Sequence, residues 1–485
     1  MKKQFYLFVL FWILISTLSP AQQSRLSSLG GLSIGIEDKD NLLTPFDFGN
    51  NPAWLFMDEK ETYLNISPAI SNSWGSYHRK YDSEGDMYYG TSFKGIKPLG
   101  QLGTFLGYTS YDYEIRRNYN RTLKYDSYSG EAFFFVDTTA GNFHYNGPKV
   151  NLMYSWELLD NLYAGGSVTY QLLDGLKKVY TYAKTIYRNV GGNFGLAYEL
   201  DKDIVIGAHY TFFDTQESIE AADVNLLEVE TFNYRGETYF VPDRGSSVTQ
   251  KIRKKSSTFS GQLFYQVMDE LQAAIQTNYS LANSKVLIPE GSFKEVEEGY
   301  ASFESFDVQF KSQYKIDENF TAGCYAAYAS RDSWSRHSHK NLLLWDWNIN
   351  NVSVGVGSSY KVTQELMVGI DYMLGWKKID STKYIDNRAA YLNSNDHTFR
   401  LGAEYKMLGN VFLRGGYSLN MDEYDIYYGG ENVKNHSFTL GIGLPINESI
   451  LLDSHINYSK ISPGNNSAIA RSFLGAFVTV RLNSF

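Results

Sequence analysis

The sequence predicts an all-β protein, namely a closed antiparallel up-and-down transmembrane β-barrel of about eighteen strands, preceded by an N-terminal periplasmic or plug segment. Two patterns predict this fold: a strict alternation of apolar and polar residues that returns along the chain, and tyrosines placed at both ends of the apolar runs. Aromatic residues are abundant, with 39 Tyr, 30 Phe and 8 Trp among 485 residues. The mean hydropathy of -0.33 argues against a bundle of membrane-spanning helices.

The alternation begins clearly near residue 149. Residues 150–156 and 162–170 alternate with period two on either side of a polar turn at Asp160 and Asn161. One apolar face with period two is typical of a half-buried β-strand. Similar units follow to the end of the chain, and an earlier hairpin, a first strand near 62–67 and a last strand at 471–482 complete eighteen candidates.

Tyrosine placement favours a membrane barrel over a secreted propeller or β-helix, the alternative in which strand tyrosines are also common. Two girdles of aromatic residues that flank an apolar band are expected on the outside of an outer-membrane barrel. The first set stands near the short turns and the second at the far strand ends: Tyr154, Tyr198, Tyr265, Tyr314, Tyr360 and Tyr405; then Tyr170, Tyr210, Tyr279, Tyr328, Tyr372, Tyr417 and Tyr458.

The N-terminus predicts export. Lys2 and Lys3 precede an apolar run over 5–18 and a small-residue site at Ser19 and Ala21, which together indicate a signal peptide over residues 1–21. A membrane anchor is the alternative, although the run is short for a hydrocarbon layer of ~30 Å. The remaining chain divides into a hatch or periplasmic segment, 22–60, and a barrel, 61–485. The expected location is the cell outer membrane of a Gram-negative bacterium.

The face opposite the tyrosines is polar and of mixed charge, which predicts a hydrated lumen because charges facing an apolar core would be costly. Ten residues are candidates for lining this lumen: Gln272, Gln276, Asp307, Gln309, Lys311, Arg400, Glu404, Arg414, Asp453 and His455. The single cysteine, Cys324, excludes an intrachain disulfide.

No cofactor, metal or catalytic residue is predicted. His337 and His339 lie close together in a predicted loop, but a structural metal site needs three or four ligands. His209 and His455 are predicted to point inward, and no nucleophile elbow accompanies them, so an enzyme is not expected. The net charge of -9 argues against nucleic acid as a partner.

Expected partners are outer-membrane lipid and lipopolysaccharide, a small-molecule ligand and, at the outer loops, a protein. A basic cluster formed by Lys251, Arg253, Lys254 and Lys255 is suited to lipopolysaccharide phosphates, with a solvated charge run as the alternative. The apolar stretch over 342–347 is interpreted as a guide for a hydrophobic ligand or as an extension of the wall. Long loops are predicted over 114–148, 214–256, 281–303, 330–349 and 377–395.

The segment before the first strand carries Leu29, Gly30, Gly31, Gly35 and Asp38, followed by Asn51, Pro52, Ala53 and Trp54. This segment resembles the opening of the long-chain fatty acid transporter family and of related barrels that serve type IX secretion. The resemblance implies a hatch that enters the barrel from the periplasm, with Gly30, Gly31, Gly35, Asn51, Pro52 and Trp54 as its residues. An ordinary periplasmic leader is the alternative. Those relatives have fourteen strands, whereas the alternation here predicts more.

The predicted function is therefore a channel or transporter for a small molecule, with a hydrophobic one among the options, gated by residues 22–60. The alternative belongs to a different class: a scaffold that does not transport and that docks secreted or surface proteins through its long extracellular loops.

Overall fold

In the computed structural model, the described part of the chain comprises residues 51–58, 62–120, 122–134, 136, 140–177, 183–222, 228–230, 238–240, 247–290, 294–338, 341–384, 387–407, 411–425, 429–464, 466 and 468–483. The predicted signal peptide and the hatch residues Gly30, Gly31 and Gly35 lie outside these ranges. Within them, no helix is long and apolar enough to cross a membrane.

Eighteen strands pair in chain order into one antiparallel sheet, and β1 pairs with both β2 and β20. This pairing closes the barrel and confirms the predicted fold class and strand number. The strands of the barrel are β1 (Tyr63–Gly75), β2 (Gly85–Pro98), β3 (Thr104–Tyr119), β4 (Gly141–Leu159), β5 (Leu162–Lys177), β6 (Ala183–Asp201), β7 (Ile204–Ala222), β10 (Ser247–Met268), β11 (Leu271–Glu290), β12 (Lys294–Lys315), β13 (Phe320–His337), β14 (Leu342–Lys361), β15 (Leu366–Lys383), β16 (Arg388–Lys406), β17 (Phe412–Asp425), β18 (Gly430–Asn447), β19 (Ile450–Ser462) and β20 (Arg471–Asn483). A separate two-stranded sheet, β8 (Glu228–Glu230) and β9 (Thr238–Phe240), lies in the connection between β7 and β10.

Tight turns join the strands at one end of the barrel. β4 and β5 are linked through Asp160 and Asn161, and Asn161 adopts a φ of 64°, a left-handed conformation that asparagine tolerates in hairpin turns. β6 and β7 are joined in the same way through Lys202 and Asp203. Short turns mark the periplasmic end of outer-membrane barrels, and the longer connections between β3 and β4 and between β7 and β10 lie at the opposite, outer end.

The outer surface of the wall is apolar. Val168, Val356 and Leu440 are each 60% exposed or more, although they lie in the middle of their strands. Eleven of the thirteen girdle tyrosines are exposed on the same side, whereas Tyr417 and Tyr458 are half-buried. An exposed apolar band between two levels of aromatic residues is the surface that a membrane-spanning barrel presents to lipid. Cys324 is exposed and shares this face with its neighbours in β13.

The predicted strand lengths and three of the five predicted loops are wrong. The strands have 13 to 22 residues instead of about ten, and only residues 291–293 separate β11 from β12, where a loop over 281–303 was expected. The predicted loops over 330–349 and 377–395 are also mostly strand. A strand of 20 residues tilted by ~45° rises ~47 Å, whereas the apolar band needs ~25 Å. The wall therefore continues above the membrane, where its outer face meets water instead of lipid and the alternation fades.

Candidate functional site: the lumen and the two segments that fill it

Residues 51–58, called here the inner segment, lie inside the barrel close to the short turns. Pro52–Trp54 form a 3-10 turn and Leu55–Asp58 a single helical turn. Proline suits the first position of such a turn because that position needs no backbone N–H, and Asn51 Oδ1 caps the turn by accepting from Ala53 N at 3.0 Å. Ala53, Trp54 and Leu55 are fully buried and share an apolar cluster with inward side chains of the wall: Tyr63, Ile96, Leu106, Met153, Ala197, Val205, Phe264 and Ala274.

Polar contacts hold the inner segment against three strands. Asn51 Nδ2 donates to the carbonyl oxygens of Leu196 in β6 at 2.8 Å and Ala208 in β7 at 3.4 Å. Ser155 in β4 donates its hydroxyl to Ala53 O at 2.8 Å. The backbone and the side chain of the Asn-Pro-Ala stretch are thus both fastened to the wall.

Three glycines on neighbouring strands form the cradle of the inner segment. A Cβ atom at Gly165 would lie 2.5 Å from the Pro52 carbonyl carbon, and one at Gly207 would lie 2.8 Å from Asn51 Nδ2. A Cβ at Gly195 would come still closer to Asn51 Oδ1. The absence of side chains at these positions lets a backbone approach the wall, which is a recognised reason for glycine inside a strand. Of the predicted hatch residues, Asn51, Pro52 and Trp54 occupy this cradle.

The connection between β3 and β4 enters the barrel from the outer end. Its described residues 122–134, called here the outer finger, lie in the lumen, and Thr122 forms an isolated bridge with Val136. Leu123, Phe133 and Phe134 are at most 2% exposed. They belong to a second apolar cluster, which includes inward side chains from β4, β6, β7, β10, β11, β14, β15 and β16: Phe143, Tyr145, Ala183, Ile219, Ala221, Ile252, Val286, Leu344, Trp345, Trp347, Ile349, Ile379 and Leu392.

Hydrogen bonds from the wall fix the backbone of the outer finger. Thr185 Oγ1 in β6 donates to Leu123 O at 2.6 Å, and Lys254 Nζ in β10 donates to Ser129 O at 2.8 Å. Glu217 in β7 accepts from the backbone N–H of Tyr125. These three strands are adjacent to one another, so one side of the barrel holds the finger by its backbone.

Arg116 at the outer end of β3 adds an aromatic clamp. Its guanidinium donates to the Tyr125 carbonyl oxygen and lies 4.6 Å from the centre of the Tyr125 ring. The same group lies 5.1 Å from the Tyr119 ring and 4.9 Å from the Tyr145 ring, and Glu114 accepts from it at 2.7 Å. A desolvated cation among aromatic faces is attracted by their quadrupoles. The clamp joins the base of the finger to β3 and β4.

Inside the finger, Lys124 and Glu131 form a buried ion pair. The side chains are 1% and 4% exposed, and Ser129 Oγ donates to Glu131 Oε2 at 2.6 Å. Burial opposes the charge of Glu131, but the Lys124 and Lys254 ammonium groups hold its pKa below the ordinary 4.5. Burial likewise opposes the charge of Lys124, yet Glu131, Glu217 and Asp126 raise its pKa above 10.5. Both groups therefore stay charged at neutral pH.

These directions predict acid release of the outer finger. Because the pKa of Glu131 is lowered in the folded state, its charge stabilises the seated finger above pH 4.5. This stabilisation is lost as the pH falls through the pKa of the folded state. Because the pKa of Lys124 is raised in the folded state, its charge stabilises the seated finger below pH 10.5. This stabilisation is lost only as the pH rises through the pKa of the folded state. In a chain without the inner segment, we expect conductance across a planar bilayer to rise as the pH falls below 4.5. A variant with Lys124→Met and Glu131→Leu should lose the acid step, and an acid step of equal size in that variant would contradict the assignment.

The ten residues predicted to line the lumen all fall on the inward side of their strands, opposite the exposed apolar residues. Several are paired within the wall. Arg414 donates from Nε to Glu404 at 2.6 Å and from Nη1 to Asp453, and the His455 ring stacks on Phe477 at 4.7 Å between centres. A similar triad, which the sequence analysis missed, places Lys377 between Asp396 at 2.9 Å and Asp422 at 3.3 Å.

One further sequence prediction, the exposed histidine loop, needs correction. His337 is not on an exposed loop: it ends β13, is 4% exposed and lies 5.3 Å from the Phe133 ring, whereas His339 falls outside the described residues. No metal-binding group of three His, Cys, Asp or Glu residues occurs in the described ranges. Of the two interpretations of the stretch over 342–347, the structure agrees with an extension of the wall, since Trp345 and Trp347 are inward side chains of β14 that pack against the finger.

The predicted basic cluster is split by the alternation of β10. Lys251 and Arg253 pair with Glu295 at 2.9 and 3.5 Å, whereas Lys254 points inward and reaches the outer finger. Lys251, Arg253 and Lys255 thus stay on the outward face and only Lys254 leaves the cluster, because residues one position apart on a strand face opposite sides of the wall.

An apolar outer band, a lumen of polar and ionic side chains and closure of the sheet on itself define the class of protein: a membrane-spanning β-barrel of the outer-membrane type. A family model described as "Family of unknown function (DUF6850)" matches residues 52–332, and the chain belongs to this family. No curated protein matches the sequence.

Similar solved structures include the CymD monoaromatic hydrocarbon channel, with 13% identity and a TM-score of 0.36 over 95% of this chain and 98% of that one. A Pseudomonas aeruginosa FadL homologue has 12% identity and a TM-score of 0.36 over 95% and 96% of the two chains. The ferric citrate transporter FecA in its unliganded form has 8% identity and a TM-score of 0.47 over 86% and 78%.

Proposed function

We propose that the protein is an outer-membrane channel for a small molecule, closed by two segments of its own chain that act in series. The observation that supports this most directly is the filling of one closed barrel from both ends, by the inner segment and by the outer finger. A barrel of 16 to 18 strands otherwise leaves an aqueous channel. The apolar band and the predicted signal peptide support placement in the outer membrane of a Gram-negative bacterium.

The construction of the two segments supports gating over permanent closure. Each segment is a piece of irregular chain, attached to the wall by side-chain hydrogen bonds and apolar packing rather than by a strand ladder. Local unfolding occurs most readily in regions that have few backbone hydrogen bonds to a sheet. The barrel strands, in contrast, separate only when the whole sheet unfolds. Displacement of both segments would leave the eighteen-strand wall intact.

A second candidate function is a scaffold that does not transport and that docks secreted or surface proteins. One observation favours it: strands such as β10 and β12 have 22 residues and rise well above the apolar band, which provides a tall outer wall. A lumen filled at both ends is compatible with this role too. The two candidates differ in whether removal of the filling segments yields a conducting pore.

Planar bilayer recordings on four chains distinguish them. The chains are the wild type, one that lacks residues 22–58, one in which residues 122–134 are replaced by a Gly-Ser linker, and one that carries both changes. For two gates in series, we expect low conductance in the first three chains and a steady, much larger conductance only in the fourth. A silent fourth chain that is folded by circular dichroism would contradict the channel and favour the scaffold. A wild type that conducts as well as the fourth chain would contradict closure.

A further inference from the structure

A line of polar side chains crosses the inner wall from β10 to β12. Gln262 Nε2 donates to Gln276 Oε1 at 3.0 Å, Gln276 Nε2 donates to Asn278 Oδ1 at 2.9 Å, and Asn278 Nδ2 donates to Asp307 Oδ2 at 2.7 Å. Ser260 also donates to Asn278, at 2.6 Å. These four residues, Gln262, Gln276, Asn278 and Asp307, are called here the amide relay.

The amide relay begins beside the inner segment. Gly207 pairs across the strands with Gln262, and a Cβ atom at Gly207 would lie 3.0 Å from both Gln262 Oε1 and Trp54 Cζ2. The indole Nε1 of Trp54 is buried and has no hydrogen-bond partner within the described ranges. A buried donor without a partner destabilises a structure by about 1–3 kcal/mol. The unpaired indole N–H therefore destabilises the closed state of the barrel by an amount of this order.

The relay leaves hydrogen-bonding capacity toward the lumen. A primary amide has two donor hydrogens and two acceptor lone pairs. Each relay bond uses one donor hydrogen of one residue and one lone pair of the next. Gln309 continues the same row because it pairs across the strands with Gln276, and both Gln309 and Asp307 are only half-buried. The inner wall therefore offers donors and acceptors side by side just above the inner segment.

The chemistry of this wall selects among ligand classes. An apolar molecule would cover amides and a carboxylate without replacing their hydrogen bonds, which is costly. The relay itself includes the carboxylate of Asp307, which disfavours an anion at this place. Hydroxyl groups both donate and accept, and they match a row of amides.

We propose that the amide relay, with Gln309, binds a neutral polyhydroxylated molecule of the saccharide class inside the lumen. This inference rests on the proposed channel function only in that the lumen must open to admit the ligand. It replaces the hydrophobic cargo that the sequence analysis considered. The relay lies in the path between the two filling segments, so a bound ligand would contact the wall at the position that Trp54 occupies in the closed barrel.

The test uses the chain that lacks residues 22–58 and carries the linker in place of 122–134. Maltotriose is the saccharide probe, citrate the anionic probe and toluene the apolar probe. We expect maltotriose to interrupt the single-channel current and to bind the detergent-solubilised protein in calorimetry, with citrate and toluene much weaker. Gln276→Leu should weaken the maltotriose effect about tenfold, as expected for the loss of a buried hydrogen-bonding group. Gln272→Leu, on the same face of the same strand but outside the relay, should leave it unchanged.

Each outcome bears on one of the two proposals. If the opened chain conducts and maltotriose neither blocks nor binds, or toluene is the stronger probe, the saccharide site is wrong and the channel stands. If the opened chain is silent, the channel is wrong, and calorimetry with maltotriose still decides the site. Gln309→Leu, at a less buried position, serves if Gln276→Leu fails to fold, and an unchanged maltotriose effect in a folded Gln309→Leu variant would overturn the assignment.

Discussion

Valine in place of Gly165 is expected to expel the inner segment from the lumen, whereas valine at the adjacent Gly166 is expected to leave it in place. A Cβ atom at Gly165 would lie 2.5 Å from the Pro52 carbonyl carbon and 2.6 Å from the Ala53 nitrogen, and these backbone atoms cannot rotate away. At Gly166 the nearest atom is the Asn193 carbonyl oxygen at 3.8 Å, an ordinary contact. Overpacking of this kind costs about 1–3 kcal/mol, which is enough to raise the displaced population about tenfold or more.

Cysteine labelling can measure the displacement. Leu55 is fully buried in the inner segment, and the native Cys324 lies exposed on the apolar outer face. In a Cys324→Ser background, Leu55→Cys should react slowly with a polar maleimide in the parent chain and in the Gly166→Val variant. The Gly165→Val variant should react about tenfold faster, in line with the overpacking cost. Equal rates in the two valine variants would mean that the glycine at position 165 does not seat the segment.

The barrel wall was predictable because the face of a strand is encoded locally. Val352, Val354 and Val356 alternate with polar residues, and the structure exposes all three on the outer surface. Each short polar turn marks the end of a strand, so counting the turns gave the strand number. The alternation of apolar and polar residues thus predicts which face of each strand meets lipid. The two girdles of tyrosines predict a membrane barrel, and such a barrel must close.

The height of the wall and the outer finger were not predictable in the same way. Above the apolar band, outward positions such as Lys251 and Arg253 are charged, so the pattern that reveals a strand disappears while the backbone pairing continues. Leu123, Phe133 and Phe134 gave a signal, since apolar residues have little reason to lie in an exposed loop. Their partners in β14 lie more than 200 residues away, and only the closed barrel brings them together.

The inner segment was partly predictable. The Asn-Pro-Ala-Trp stretch indicated residues that enter the barrel, and Asn51, Pro52 and Trp54 lie inside it. Its cradle was not predictable, because Gly165, Gly195 and Gly207 stand on three strands and a strand glycine indicates a bulge as readily as a close backbone approach. The amide relay depends in the same way on cross-strand register, which a pattern along one strand does not contain.

Lys124→Met is expected to release the outer finger from the lumen. The substitution leaves Glu131 buried without its ion-pair partner, and breaking a buried ion pair from one side costs about 3–5 kcal/mol. Replacing both partners, with Lys124→Met and Glu131→Leu, removes the uncompensated charge and should restore most of the finger. Buried pairs replaced by apolar side chains of similar volume are often tolerated.

Hydrogen exchange of peptides from residues 122–134, followed by mass spectrometry in liposomes at neutral pH, measures the release. We expect exchange to accelerate by two orders of magnitude or more in Lys124→Met, as about 3–5 kcal/mol implies, and to return toward the wild-type rate in the double variant. Lys251→Met is the matched control: its partner Glu295 is 41% exposed, so the loss of this pair should cost no more than about 1 kcal/mol and leave the finger protected. A double variant that exchanges as fast as Lys124→Met would show that apolar packing, and not relief of a buried charge, decides where the finger lies.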